Sequence, residues 1–476
     1  MARVAAACVL LVCVVCVAGA MGAAPTSAHA RTAAATEWGG YRRTAANSGV
    51  TAAKTPTSKS RTRLKWSRKL VAGGGWDVRV SAPIIVRGKV FIARNNQLLR
   101  YSKSGKLEKT VTLAAPIGYT CYPGSGDGKL FIPLDGGRIQ ALSAATMKSS
   151  WVSVSASISA TDTAQSTGTV TYRAGYLYSS WVRGGATPTA GAVVCYKTSA
   201  GSNIDSDGYK RPVWTHAVAL PEDGGTTAAT TAGYYNTGIA LTPKAALFAG
   251  EDGVLTSVAL KTGKVLSTVK LKAPVRSAVL FVSTGMGSTG VAYVSTANST
   301  TNTGKIWRVP VTKTGKLSAA RAKSAKLSAG PGTTAPVRYN NKLYVVSGQS
   351  GFAAGTATGT GKLDTFNATT LKHKSTVDLG GFSQSSPLLS KAQATKRNGK
   401  RAYLYVTLND TTDTIKVIRD SAKQKKPTVA TLAKPGGSYS MASLIADKSG
   451  TLYYTSSVTD PATWSTDVYL QARARK

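Results

Sequence analysis

The sequence predicts an all-β fold, an eight-bladed β-propeller of four-stranded antiparallel blades. Three observations carry that expectation. A short polar turn leads eight times into a strand with an aromatic at its centre, at spacings of 40 to 70 residues: Arg87-Gly-Lys-Val-Phe91, Asp127-Gly-Lys-Leu-Phe131, Ala174-Gly-Tyr-Leu-Tyr178, Pro243 to Phe248, Thr289 to Tyr293, Asn341 to Tyr344, Gly399 to Tyr403 and Gly450 to Tyr453. Self-similarity at such a period marks a repeat architecture in which each unit buries its apolar face against the next. A second turn, Lys103-Ser-Gly-Lys106, recurs as Lys261-Thr-Gly-Lys264 and Lys313-Thr-Gly-Lys316, where Gly supplies the positive φ of a tight hairpin. Helical apolar periodicity is almost absent.

In chain order, residues 1–30 read as a signal peptide. Arg3 supplies a positive start, Val4 to Ala20 is an apolar run, and Ala28-His29-Ala30 offers a small-residue cleavage site. No later apolar run is long enough to span a bilayer. Residues 31–62 form an N-terminal lead and 63–476 the propeller. Within the first repeat, Ser81–Val86, Lys89–Arg94, Gln97–Tyr101 and Lys106–Leu113 are the four expected strands. The last repeat, from Ser443, has room for about three strands. The alternation around Leu64, Trp66 and Leu70 predicts a strand with no N-terminal partner, so it is expected to complete the last blade and close the ring, which removes an open edge. Seven blades remain the alternative, because the seventh repeat is the most irregular. Polar insertions at Ala200–Arg211, Leu220–Tyr234 and Gly348–Gly361 break blades three and six, and loops on a rigid scaffold are where binding concentrates.

Charge is the second extreme, with 60 Lys and Arg against 20 Asp and Glu, a formal net charge of +40. Residues 253–363 hold 15 cations and no acid, and residues 38–76 hold nine cations and no acid. Such a surface attracts polyanions through long-range, salt-sensitive fields. For an exported protein, the candidate partners are anionic cell-wall polymers, anionic polysaccharide, phospholipid head groups or non-specifically bound nucleic acid; a surface protein partner and a monomeric state complete the expectation. The other reading of the charge is a solvated, solubilising surface.

The segment Ala141-Leu-Ser-Ala-Ala-Thr-Met-Lys-Ser-Ser-Trp151 and, with Ser267 in place of the Trp, Val258 to Ser267 resemble the repeat element of the quinoprotein-type, PQQ-binding-like β-propeller family. The lead, with Trp38, Tyr41, Arg42, Asn47 and Gly49 followed by Leu64-Lys-Trp66, also resembles that of exported bacterial members. The resemblance covers nearly all of residues 31–476 and implies the propeller fold. Catalytic members carry a vicinal cysteine pair over the quinone, a catalytic Asp, and calcium ligands from Glu, Asn and Asp. Here Cys121 and Cys195 lie 74 positions apart, and only Glu37, Glu108, Glu222 and Glu251 supply glutamate. A non-catalytic member is therefore expected, with no cofactor.

The remaining chemistry is sparse. Beyond residue 30 only His216 and His373 are left, so a Ser-His-Asp relay would need one of them, and a multi-His metal site is hardly possible. The close carboxylate pairs Asp205/Asp207, Glu222/Asp223, Glu251/Asp252 and Asp410/Asp413 mostly read as turn residues. Asn203-Ile-Asp205-Ser-Asp207-Gly208 matches the first half of a calcium loop, but Trp214 stands where a bidentate Glu belongs. Either a weak calcium site or an Asx-rich turn fits. In an exported chain the two remaining cysteines are expected to form a disulfide, Cys121–Cys195, with two separate buried thiols as the alternative. No Gly-rich phosphate loop opens a helix and no nucleic-acid reader module is present. The function expected is a secreted or cell-surface binding scaffold for an anionic wall polymer or a protein partner. The alternative is an enzyme on the same fold, either a degenerate quinoprotein dehydrogenase or a polysaccharide-cleaving propeller.

Overall fold

The computed structural model describes residues 36–75, 78–118, 121–156, 164–166, 168–184, 189–219, 232–285, 287–349, 352–353, 356–357, 359–409, 414–434, 443–460, 462–463 and 465–476. The 1–30 segment, most of the 220–234 insertion and the pairs Glu222/Asp223 and Asp410/Asp413 therefore lie outside the described residues.

Eight antiparallel sheets follow one another along the chain, each a four-stranded meander. Blade 1 consists of Ile84–Val86, Lys89–Arg94, Gln97–Ser102 and Leu107–Thr112, close to the strands expected. The seventh repeat is a complete blade: Leu388–Ser390, Ala402–Thr407, Ile415–Asp420 and Thr428–Ala433. Blade 8 takes Ile445–Ala446, Leu452–Thr459 and Thr466–Arg475 from the C-terminus and its outer strand, Thr62–Gly74, from the N-terminal side. That strand pairs antiparallel with the last one, from Thr62 opposite Arg475 to Gly74 opposite Thr466. The ring is thus closed by hydrogen bonds, and it has eight blades.

The meander also fixes which connections share a face. Turns between first and second strands, and between third and fourth, lie at one end of the ring, here the turn end. Second-to-third loops and the links between blades lie at the opposite, loop end. The insertion 200–211 joins the third and fourth strands of blade 3 and so belongs to the turn end. The described residues 232–234 and the strand ends Gln349 and Thr360 lie at the loop end, opposite the 200–211 turn.

The core is a series of apolar clusters between neighbouring blades rather than one centre. Each repeated aromatic is buried, Phe91, Phe131, Tyr178 and Phe248 among them, because the flat meanders must exclude water from both faces. Outer-strand tryptophans then lock onto the next blade. The Nε1 atoms of Trp66, Trp151 and Trp214 donate to the carbonyls of Lys103, Thr198 and Leu260, at 3.0, 3.1 and 2.9 Å. Blade 4 has Ser267 at this place, and its Oγ instead accepts from the Leu317 N–H at 2.6 Å.

The Cys121–Cys195 bridge does not form. Both thiols are free and buried, Cys121 in the cluster between blades 1 and 2 and Cys195 in that between blades 3 and 4. Adjacency of repeats in sequence placed them in separate inter-blade cores, so the buried-thiol alternative is the one realised.

Candidate binding site at the mouth of the channel

The lead crosses the ring at its turn end and ties the inner strands together. Thr36–Trp38 adds to the inner edge of blade 1, and Val50–Thr51 pairs in parallel with the inner strand of blade 7. Between them the lead bonds to blades 2, 4 and 5. Ser125 of blade 2 donates to the Gly39 carbonyl at 2.7 Å. The N–H groups of Leu241 and Phe281, in blades 4 and 5, donate to the carbonyls of Ala45 and Ala46 at 2.7 and 3.0 Å. Asn47 Nδ2 donates back to the carbonyls of Ile239 and Val279 at 3.1 and 2.8 Å.

Two consecutive arginines turn this segment. Arg42 and Arg43 both have positive φ, 53° and 70°, a conformation that costs a non-glycine residue on the order of 1 to 3 kcal/mol and persists where the surroundings enforce it. Arg42 is buried, and its guanidinium donates to the carbonyls of Pro336 and Pro387, joining blades 6 and 7. Burial lowers its pKa to about 10, which leaves it charged at neutral pH. Gly49 makes room for it, since a Cβ there would lie 2.3 Å from the Arg42 Cζ. Arg43 is exposed and folds back on the lead, its Nε and Nη1 donating to the carbonyls of Glu37 and Val50 at 3.3 and 3.0 Å.

That turn leaves a cavity of about 530 Å³ between the lead and the turns of blades 1 to 3. Arg43, Arg87, Lys129 and Arg173 line it, with Asp127 as the one carboxylate. Asp127 is already engaged, accepting from Thr198 Oγ1 at 2.7 Å. Arg87, Lys129 and Arg173 have no ion-pair partner among the described residues. Arg87 (φ 51°) occupies the first position of a tight turn with Gly88 (φ 72°), a place that favours Asn, Asp or Gly. Tyr172 forms an aromatic wall, its ring stacked on Phe131 at 6.3 Å.

Most of the described carboxylates are consumed within the protein. Glu37 pairs with Lys103, Glu108 with Lys89 and Arg100, Asp135 with Arg79, Asp467 with Lys69, Glu251 with Arg276, and the fully buried Asp420 with Lys342. The excess of cations is therefore left to face outward.

The other sequence candidates do different work. His216 lies on the outer strand of blade 3 against Phe248, with ring centres 5.3 Å apart, and burial lowers its pKa. His373 Nε2 sits 2.8 Å from Thr376 Oγ1 and 3.4 Å from Oδ1 of the buried Asp364. Ser328 Oγ donates to the same carboxylate at 2.6 Å. A nucleophilic relay needs acid and nucleophile on opposite ring nitrogens, whereas here both groups meet Nε2. In the 203–208 turn, Asp205 Oδ1 accepts from the N–H groups of Asp207 and Tyr209 at 3.1 and 2.8 Å, and Oδ2 from Arg211 Nε at 2.9 Å. Sequence reasoning missed Lys210, whose side chain is fully buried, with its Nζ donating to the carbonyls of Ser199 and Ser202 and lying 5.6 Å above the Trp151 ring.

No family model matches this chain, and no curated protein matches it. Solved structures do. A europium-containing methanol dehydrogenase superposes with TM-score 0.62 at 12% identity, covering 94% of this chain and 99% of that one. The quinohemoprotein alcohol dehydrogenase of Comamonas testosteroni gives 0.62 at 12%, covering 94% and 84%. BamB from Moraxella catarrhalis gives 0.51 at 14%, covering 86% and 97%. The fold is the PQQ-repeat β-propeller that these proteins share.

The residues do not fit a quinone held over calcium. The two cysteines sit in different cores, and no group of three His, Cys, Asp or Glu side chains gathers among the described residues. Inside the ring the lead's own Trp38, Tyr41 and Arg42 line a cavity of only about 20 Å³, room on the order of a single water. No helix among the described residues is long and apolar enough to cross a membrane.

Proposed function

We propose that this chain is a secreted or cell-wall-associated binding module, exported by cleavage near Ala30, that takes an anionic cell-wall polymer at the turn end of its propeller without catalysis. The observation that carries this reading is the mouth cavity, in which Arg43, Arg87, Lys129 and Arg173 face one engaged carboxylate. Guanidinium groups form paired, charge-assisted hydrogen bonds with oxyanions, and several converging on one hollow hold a polymer where a lone surface Lys would not. Attraction of this kind weakens as salt shortens the screening length.

Sedimentation of the protein with purified cell wall, at low and at high salt, tests the reading. Binding at low salt that is lost at high salt is the expected result. No binding at low salt overturns the polymer and leaves a surface protein as the partner.

A further inference from the structure

A second basic hollow lies at the same end of the ring. It has a volume of about 320 Å³ and is lined by Ser48 and Val50 of the lead, Phe281 of blade 5, Arg338 of blade 6 and Lys391 of blade 7. No carboxylate lines it. Lys391 is exposed, and neither it nor Arg338 has an ion-pair partner among the described residues. The Nε of Arg338 is buried without a hydrogen-bond acceptor among them.

The lead separates the two hollows by very little. Ala45 is the last lead residue to line the first and Ser48 the first to line the second. Three residues of fully extended chain span at most about 11 Å, so the two lead positions are no farther apart than that. Both hollows open at the turn end, because both are lined by the ends of inner strands and the turns that follow them. Four of the six cations are arginines, whose planar fork matches phosphate oxygens two at a time.

We propose that the turn end is a track for one linear phosphate-bearing polyanion, which fills the first hollow, crosses the lead between Ala45 and Ser48, and enters the second. This rests on the reading of the mouth as a polyanion site and adds its ligand chemistry and its bivalence. Linking two weak contacts through one chain makes the second contact intramolecular, so affinity rises steeply once the chain is long enough to reach both.

Calorimetric titration of the whole protein at low salt with orthophosphate, a short and a long inorganic polyphosphate, and a polygalacturonate matched in length to the long one tests the track. The long polyphosphate is expected to bind about 100-fold tighter per chain than the short one. Lys391→Ser, an exposed substitution, should remove most of that gain, leaving the long chain bound about as the short one is. Lys129→Ser should weaken both chains. A length gain that survives Lys391→Ser overturns the track while leaving the mouth site standing. Polygalacturonate binding as tightly as the long polyphosphate overturns the phosphate assignment. If no polyanion binds at low salt, the underlying reading of the mouth fails as well.

Discussion

Gly105 of blade 1 lies flat against the ring of Trp66, which belongs to the outer strand of blade 8; a Cβ on Gly105 would sit 2.7 Å from the indole Cδ2. The ring is further fixed by its hydrogen bond to the Lys103 carbonyl and by stacking on Tyr101 at 6.4 Å. This contact joins the last blade to the first, so it holds the closed ring. Gly105 therefore meets two demands at once, a φ of +83° and a bare face for the indole. Gly88, with φ +72° and open space for 4 Å around the place a Cβ would take, meets only the first.

Comparison of Gly105→Ala with Gly88→Ala in urea separates the two demands. Gly88→Ala should cost about 1 to 2 kcal/mol, the left-handed strain alone. Gly105→Ala should cost more, and Trp66→Ala about 3 to 5 kcal/mol through loss of a buried aromatic. Equal costs for the two glycines would mean that the indole gives way freely.

The lead is predicted to stabilise the whole ring, because residues 37–51 bond to the inner strands of at least six blades. Deleting residues 31–70 removes both that hub and the outer strand of blade 8, and should lower the melting temperature sharply or prevent folding. Arg42→Ala, which strips two inter-blade carbonyls of their buried donor, should cost about 2 to 4 kcal/mol in chemical denaturation. An unchanged melting temperature in the truncated chain would show that the blades cohere without it.

The buried thiols give a simple chemical readout. Desolvation raises the pKa of both cysteines, that of Cys195 to about 12, so neither is a thiolate at neutral pH. In protein lacking residues 1–30, a thiol-specific reagent should react with neither cysteine natively and with both in denaturant without reductant. A requirement for reductant would reinstate the bridge.

The blades were legible because each repeat carries its own packing signal, a turn and an aromatic such as Gly88-Lys89 and Phe91. Closure by the Trp66 strand was legible for the same reason, since its alternation demands a partner. The path of the lead was not. Arg42 and Arg43 have no residue-type signature for a left-handed turn, and the partners of Asn47 are main-chain carbonyls almost 200 residues or more away, at Ile239 and Val279. The mouth was half visible: Arg87 and Lys129 stand inside the very turn that defines the repeat, but as single residues they read as solvated charge. Only the ring brings them beside Arg173 and Arg43. The second hollow draws Arg338 from the acid-free stretch that composition alone marks out.

The 199–211 loop yields a test of the calcium reading. Asp205 already closes the loop on its own backbone and on Arg211, so an ion would have to displace that contact. Calcium at millimolar concentration is expected to release no heat and to leave the melting temperature unchanged; a saturable heat that Asp205→Asn abolishes would establish the site.

Lys210 anchors the same loop and sets its pH dependence. Burial, followed by the charges of Lys129 and Lys197, lowers its pKa to about 8, while an unfolded lysine keeps its proton to about pH 10.4. Between those values the unfolded chain binds the proton and the native protein does not. Stability therefore rises with pH across that window, because the unfolded state holds more protons there. Below about pH 8 the native ammonium is retained and the penalty for burying it is fully present. Lys210→Met fills the same slot beside Trp151 without a titrating group, so its stability relative to the parent should fall progressively between about pH 8 and 10.4 and be flat below. Urea midpoints of the two proteins across that range read the difference directly. Parallel curves would mean that Lys210 titrates as an ordinary surface lysine and that its carbonyl cage opens to water.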